Sequence, residues 1–541
     1  MSDGSIHSVA TGLSDEPSFL EQRAQTRLTT RSRPDSNTSQ FPSSPVHQTF
    51  SACNPFDESS DNYITPVNWA SLQQVYPMLS VYGGATCIYP AQSYFALGTS
   101  RACILILNHK QILQTILGPQ DENFRSPVER ISVSSDGTHV AASYQSGDVF
   151  IWNLNGGESH ERQLLPILNI TAHKGCNVNG LGFVGKRHTA MVISDDSGAV
   201  LYHTGFRNHL WQLTYRTKVI LNVANEGQIL QTAISPATGV SGNNILRELH
   251  LLATVSQDSF ALISMNPHLV TQYLEKTPKN DSGNSSPFRA NISWDHSGTK
   301  VAYSLNKSIS VFVLTGEKVN EEKLVNISKR ETWNCQEEII NVQWVSEDLI
   351  GILTNSNELI VLTASEKLEP IAKVDLLSHD ILTPSERHFA CFKRQIFLLT
   401  SYTLKLGKFL SWSDVILHYV QNGNYIPALE TVGFLLSSGS SLAQFVNLEV
   451  NLRKRKKQLE QPFRNLSLAS LKYLLSKKEC GYEKLFNLFS LILEVDNLFS
   501  DSLEEQVNFI LDEPLELFNE EQLHVFYDVL SNKILEGAIK S

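Results

Sequence analysis

Gly180-Leu-Gly182-Phe-Val-Gly185-Lys186-Arg187 has the spacing of a dinucleotide fingerprint, GxGxxG, and falls one residue short of a phosphate-binding P-loop. Such a loop holds phosphate where a strand hands over to a helix amino terminus, because backbone N–H groups and the helix dipole then converge on the anion. Here the next stretch, His188 to Ser194, has strand character. No Asp or Glu lies between Ser197 and Glu226 to bind a ribose, and Arg187 stands where a P-loop places a Ser or Thr for magnesium. A strand and turn without nucleotide is the expectation. His203 and His209 sit among Tyr202, Phe206 and Trp211 with no Cys or carboxylate at ligand spacing, so they are expected to cap or line strands. Asp195-Asp196-Ser197-Gly198 lacks the twelve-residue ligand run and closing Glu of an EF-hand and reads as a turn. With no GxSxG elbow and no HExxH helix, Ser/His/Asp catalysis would need residues gathered from distant segments. The expected catalytic, cofactor-binding and metal-binding residues are none, and partner-binding residues stay unassigned.

Two further stretches have the chemistry of recognition. Asn54-Pro55-Phe56-Asp57 contains a tripeptide that some endocytic adaptor domains bind as a tight turn with the Phe ring in a pocket. Asn-Pro pairs start turns of every kind, however, and a plain loop is the preferred reading. Arg453-Lys454-Arg455-Lys456-Lys457 is a dense basic run flanked by Leu448, Val450, Leu452 and Leu459. It reads as an exposed helix face, with contact to phosphoinositide headgroups or use as a nuclear address as the alternatives.

At 541 residues and 41% hydrophobic, the chain is long enough for two folded domains. A formal net charge of -11 gives no footprint for nucleic acid and no general attraction to anionic lipid, which points to protein partners. Seven scattered cysteines without CxxC spacing encode neither a disulfide framework nor a zinc site and fit a reducing compartment. The start, Met1-Ser-Asp-Gly-Ser-Ile-His7, lacks the regions of a signal peptide, and no run approaches the roughly 20 apolar residues of a membrane span. A soluble, cytoplasmic protein is expected, and triplets such as Asn169-Ile-Thr171 are read as chance glycosylation matches.

The elements that would position these residues repeat. Ile131 to Leu154 contains two turn signals, Asp136-Gly137 and Ser146-Gly147, between three stretches of period two, ending on Trp152. Ile292 to Leu314 repeats the Asp, Gly-Thr and Val-Ala positions at matching offsets. Roughly 330 residues at about 45 per unit make seven blades, an all-β propeller of WD type. Unit starts are read near Ala85, Val128, Val178, Ile229, Phe288, Ile339 and His388. The last unit is short, so the ring is expected to close with a strand borrowed from about Val75 to Tyr82. Residues 1–65, rich in Ser, Thr, Pro and Asn, read as a disordered tail, and residues 76–410 as the propeller. Beyond Trp412 the apolar period becomes helical, with a hairpin turning at Asn422 to Tyr425 and further segments near 441–458, 463–477, 481–496, 502–511 and 519–538. Residues 411–541 are read as the opening of an α-solenoid that stops partway.

Gly84-Ala-Thr86-Cys87-Ile88, Ala96-Leu97-Gly98-Thr99-Ser100-Arg101, Gln111 to Gly118, and Arg187-His188-Thr189-Ala190 with Asp195 to Gly198 follow one another in an order that resembles the vacuolar protein sorting-associated protein 8 family. The likeness continues through the Trp412 hairpin and its Gly423-Asn424-Tyr425 turn, covering roughly residues 84–436. It implies a subunit of the CORVET tethering complex, peripheral on endosome membranes, that binds an early-endosomal Rab GTPase and other tethering subunits. It implies no nucleic acid and no small-molecule substrate. Family members carry a carboxy-terminal zinc-binding RING, whereas the last third of this chain has only Cys391 and Cys480, so RING properties do not transfer. A coat or adaptor scaffold is the second reading, and a hydrolase assembled from distant blades the third.

Overall fold

The computed structural model describes residues 64–499 with breaks at 122, 157–162, 222–227, 237–244, 278–287, 320–321, 331, 365–366, 377–384, 401–402, 437–444, 450, 477–481 and 497, together with Pro55 and a few positions between 520 and 531. Seven antiparallel sheets follow one another along the chain, six with four strands and one with five. Their first strands begin at Ala85, Val128, Val178, Ile229, Ala290, Ile339 and Phe389. Five of these match the unit starts read from sequence, and the other two lie within two residues of them. The first strand of each blade touches that of the next, and blade 7 returns to blade 1, so the ring is closed.

The second strand of a blade explains why the repeat is visible in the sequence. Tyr94–Thr99, His139–Tyr144, Ala190–Asp195, Leu251–Ser256 and Leu349–Thr354 are buried at every position. Both faces of each sheet are covered by neighbouring blades, so apolar and small residues run continuously there instead of alternating with polar ones. The apolar core is correspondingly divided. Each of seven clusters draws on two adjacent blades, from the junction of blades 1 and 2 around Tyr144 and Trp152 to that of blades 7 and 1 around Phe95 and Phe397.

Polar bonds tie the same junctions at the first strands. In blades 1, 2, 3, 4 and 6 a bulge falls between the first and third residues of that strand. In blades 1, 2, 3 and 6 a side chain at that bulge, and in blade 5 Asn291 of a regular first strand, reaches a backbone carbonyl of the next blade. Thr86 donates to Val128 O at 2.7 Å, Arg130 to Val178 O at 2.9 Å, Asn179 to Ile229 O at 3.2 Å, Asn291 to Ile340 O at 2.7 Å and Asn341 to Phe389 O at 3.0 Å. The Trp294 and Trp344 indoles add bonds to Ala233 O and Ser293 O. Charge spans blade 1 as well: Arg387 meets Glu129 at 2.9 Å, and Arg130 meets Glu386.

The closing strand lies elsewhere than expected. Val67–Ser71 pairs antiparallel with Leu404–Phe409, whereas Tyr76–Tyr82 forms a short helix, α1. Pro77 in the first turn decides this, because a proline starts a helix readily but cannot donate to a sheet ladder. Blade 4 carries a second short helix, α2 (Ile245–Leu249), ahead of its second strand.

A separate unit holds most of the helices after blade 7. The expected hairpin is present as α3 (Trp412–Gln421) and α4 (Tyr425–Leu436), joined through Gly423 at φ +74°. α5 (Leu452–Ser476) and α6 (Tyr482–Asp496) pack on α4 and on each other. Two helices expected near 441–458 and 463–477 are a single helix that runs through Pro462. Leu459, Phe463, Leu466 and Leu471 carry one buried stripe past the proline, and Phe463 stacks on Phe499 with ring centres 5.0 Å apart. Segment 502–511 lies outside the described residues, as do most of segment 519–538 and the Asn54-Pro55-Phe56 motif apart from Pro55.

Replacing Asn341 by Ala removes donors to the buried carbonyl of Phe389 and to that of Glu386. The expected loss is about 1–3 kcal/mol of propeller stability, read as a lower urea midpoint at unchanged slope.

Candidate functional site in blade 3 and its junction with blade 4

Three of the stretches singled out above for chemistry fall in one blade. Gly180 and Gly182 lie in the first strand of blade 3, Val178–Phe183, and the segment after Arg187 enters the second strand, Ala190–Asp195, with no helix between them. The glycines serve packing. A Cβ on Gly180 would stand 2.1 Å from the Thr232 hydroxyl and one on Gly182 2.6 Å from Ile234, both on blade 4. Gly185, at φ +61°, makes the turn.

Asp195 to Gly198 is a turn, as read from sequence, with Gly198 N–H bonded to Asp195 O and the Ser197 N–H and hydroxyl both donating to Asp195 Oδ1. Its other oxygen does something the spacing did not reveal. Asp195 Oδ2 takes His173 Nδ1 at 2.6 Å, His173 Nε2 meets His203 Nε2 at 3.0 Å, and His203 Nδ1 meets the Thr217 hydroxyl at 3.0 Å. One proton assignment satisfies the whole chain with neutral imidazoles: Thr217 donates to His203, His203 to His173, and His173 to the carboxylate. His203 thus lines a strand, as expected, while linking to a carboxylate through a second histidine from the segment before the blade. His209 is at the exposed tip of the blade's outer hairpin. Ser197 and His173 both bind the same carboxylate, so the acid sits in the middle where a catalytic triad places the base.

Burial, then the neighbouring His173, lowers the His203 imidazole from its ordinary value of 6.5 to about 4. For Asp195, burial alone would raise the carboxyl, but the bonds from His173 and Ser197 outweigh it and hold it low.

A second cluster bridges blades 2 and 3. Asp136 Oδ2 takes His188 Nε2 at 2.7 Å, and the His188 ring stacks on His139 with centres 4.0 Å apart and planes 10° apart. Burial of Asp136 is outweighed by bonds from Ser134, Thr138 and His188, so its carboxyl lies well below the usual range. Donor atoms of these three residues lie within 4.8 Å of one another. In parallel rings 4.0 Å apart, an ion midway would stand about 2 Å out of each ring plane, a displacement as long as a Zn–N bond, so this arrangement does not present both lone pairs to one metal. Cys176, Asp195 and Asp196 form a similar group, but burial and the two carboxylates push the Cys176 thiol up, away from the thiolate a metal requires.

At the junction of blades 3 and 4 lies a recess of about 380 Å³ whose walls include Val184, Tyr202 and Leu269 and whose cations are Arg187 and Lys218. His250 lines it too, its imidazole lowered by burial and then by the charge of Arg187. Arg187, placed by the sequence in a failed P-loop, therefore does face a cavity. In the helical unit the basic run departs from its expected uniform exposure: Arg455 is buried on α5, while Arg453, Lys454 and Lys457 stay exposed. None of the described helices is long and apolar enough to cross a membrane.

A closed ring of seven antiparallel sheets, six of four strands and one of five, defines a seven-bladed β-propeller. The description of the Vps8 beta-propeller family matches residues 73–396. Across 99% of its length the chain is 34% identical to vacuolar protein sorting-associated protein 8 of Saccharomyces cerevisiae (strain ATCC 204508 / S288c), of which it spans 42%. The chain belongs to the Vps8 family. Among solved structures, the beta-propeller domain of Myceliophteria_thermophila Cps50 (Swd1) matches over 60% of this chain and 96% of its own, at 12% identity and a TM-score of 0.44.

Because His203 is held neutral when folded and has its ordinary pKa when unfolded, its contribution is present above pH 6.5 and is lost as pH falls toward about 4. The melting temperature is expected to drop between pH 7 and 5. Substituting His203→Gln should flatten that slope, removing up to about 3 kcal/mol of pH-dependent stability, as measured by differential scanning fluorimetry across pH.

Proposed function

We propose that the chain acts as a non-enzymatic subunit of an endosomal tethering complex of the CORVET kind, peripheral on the endosome membrane. Its propeller binds an early-endosomal Rab GTPase in the GTP state, and its helices, the opening of an α-solenoid, join it to other subunits. The observation that carries this reading is the 34% identity along 99% of the chain to a vacuolar protein sorting relative. The local chemistry supports it: the described His, Asp and Ser clusters of blade 3 are committed to turns and blade contacts, which leaves surface display as the work of the disc.

Retention of the chain on immobilised early-endosomal Rab should be at least about tenfold greater with a GTP analogue than with GDP. Equal retention of both nucleotide states, or of neither, refutes the GTPase-effector part of this reading.

A further inference from the structure

The outer hairpin of blade 3 outgrows its sheet. Ala190, at the start of the second strand, pairs with Thr204, yet the third strand runs on to Arg207 and the fourth begins at Leu213 opposite it. Three residue pairs, about 10 Å of ribbon, therefore project past the second strand before the turn is reached. They project at the end of the blade where Arg187 lies, because the turns joining strands one to two and three to four are at the same end of an antiparallel sheet.

The tip is built rather than loose. Asn208 Oδ1 accepts from Leu210 N at 2.9 Å and Gln212 N at 3.0 Å, Trp211 N donates to Asn208 O, and Arg207 Nη1 donates to Trp211 O. Trp211 is held at φ +60°, a conformation that L residues disfavour. This frame presents Leu210 and Trp211 to solvent, each 76% exposed, more than any other large apolar side chain described.

The charge around them is of one sign. Between Ser197 and Glu226 there is no Asp or Glu, whereas Arg207, Arg216 and Lys218 are all present, in a chain whose net charge is -11. Arg216 lies over the Phe206 ring at 4.4 Å, at the base of the projecting ribbon. Lys186 and Arg187 add to this end of the blade. Two carboxylates of the adjoining blades at the same end are already matched, Asp136 with His188 and Glu248 with Lys323.

We propose that this hairpin is a lipid contact: Leu210 and Trp211 enter the interface of a membrane carrying anionic headgroups, and Arg207, Arg216, Lys218 and Arg187 face those headgroups. A Trp beside a Leu on a cationic ribbon suits the boundary between acyl chains and headgroups, where an amphipathic ring is favoured and each basic group gains from the negative surface potential. An acidic protein groove would match the charges but gives no reason for the exposed Trp-Leu pair. The inference rests on the reading of the chain as a membrane-acting subunit, and it concerns contact with lipid itself.

The test is co-flotation of the purified chain with protein-free vesicles, one set of phosphatidylcholine alone and one containing about one-fifth phosphatidylserine. The wild type is expected to float with the anionic set and not the neutral one. The double variant L210S/W211S should lose about tenfold in apparent affinity with its melting temperature unchanged, since both side chains are solvent-exposed, and R207S/R216S should lose a similar factor. Adding inositol hexakisphosphate separates two sources of the same charge: competition at low concentration places a phosphorylated headgroup in the Arg187–Lys218 recess, and its absence leaves a diffuse anionic surface, either result supporting a lipid contact. Equal flotation of wild type and L210S/W211S overturns the proposal. So does flotation of neither, or a tip variant that loses only binding to an acidic protein. No GTPase is present, so failure here leaves the Rab reading standing, and the tip variant should still be retained by GTP-loaded Rab.

Discussion

Every blade depends on its neighbours to cover both of its faces. A single four-stranded sheet of this chain would expose the two sides of a strand such as His139-Val-Ala-Ala-Ser-Tyr144, all six residues of which are buried in the ring. Only closure removes the problem, because an open arc would leave two terminal blades each with one bare face and would break the junction cluster that joins Phe95 to Phe397. The short polar ties are the directional part of this constraint. Apolar packing alone tolerates sliding, but a side-chain amide aimed at one carbonyl of the next blade fixes both height and angle. The bulge beside these residues is consistent with that aim, since a bulge redirects a side chain out of the regular pleat.

That constraint also governs what looked like chemistry. Gly180 and Gly182 are small because blade 4 lies against them, and Arg130 is spent on the carbonyl of Val178 and on Glu386. The line from the exposed Thr217 through the buried His203 and His173 to Asp195 is a polar network whose members are each satisfied by the next, and its buried part specifies one arrangement because any change of register orphans a group. Placing the carboxylate between a hydroxyl and an imidazole makes a good strut and a poor nucleophile-activating relay.

The ring was legible because burial on both faces writes itself into composition: five fully buried second strands give five recurring apolar runs, and the length of the β region at about 45 residues per unit supplies the count of seven. What was not legible was anything set by contact across blades. His173 and Asp195 are 22 residues apart, and Arg130 and Glu386 are 256 apart, so no local spacing could pair them. The closing strand was misplaced for a related reason. Val75 to Tyr82 carries enough apolar residues for a strand, and only the weight given to Pro77 separates helix from ladder there. Burial of Arg455 was missed because a run of five cations reads as one solvated surface, although successive residues on a helix point in different directions. The Trp211 tip was likewise passed over, since exposure of an apolar side chain is a property of the finished surface.

The sign of the whole chain and the sign of its blade 3 hairpin act at different ranges. At physiological ionic strength charges are screened over about 8 Å, so a body with net charge -11 is repelled by an anionic surface only at close approach. A ribbon that overhangs its second strand by about 10 Å sets blade 3 itself roughly one screening length behind the tip, while the blade 5 hairpin, paired out to Val319 and Glu322, overhangs further. The overall acidity that argues against general lipid affinity therefore does not oppose a local contact through the hairpin of residues 200–221, which carries Arg207, Arg216 and Lys218 and no Asp or Glu. In the proposed lipid contact, a propeller anchored through one hairpin would keep its remaining loops available to protein partners.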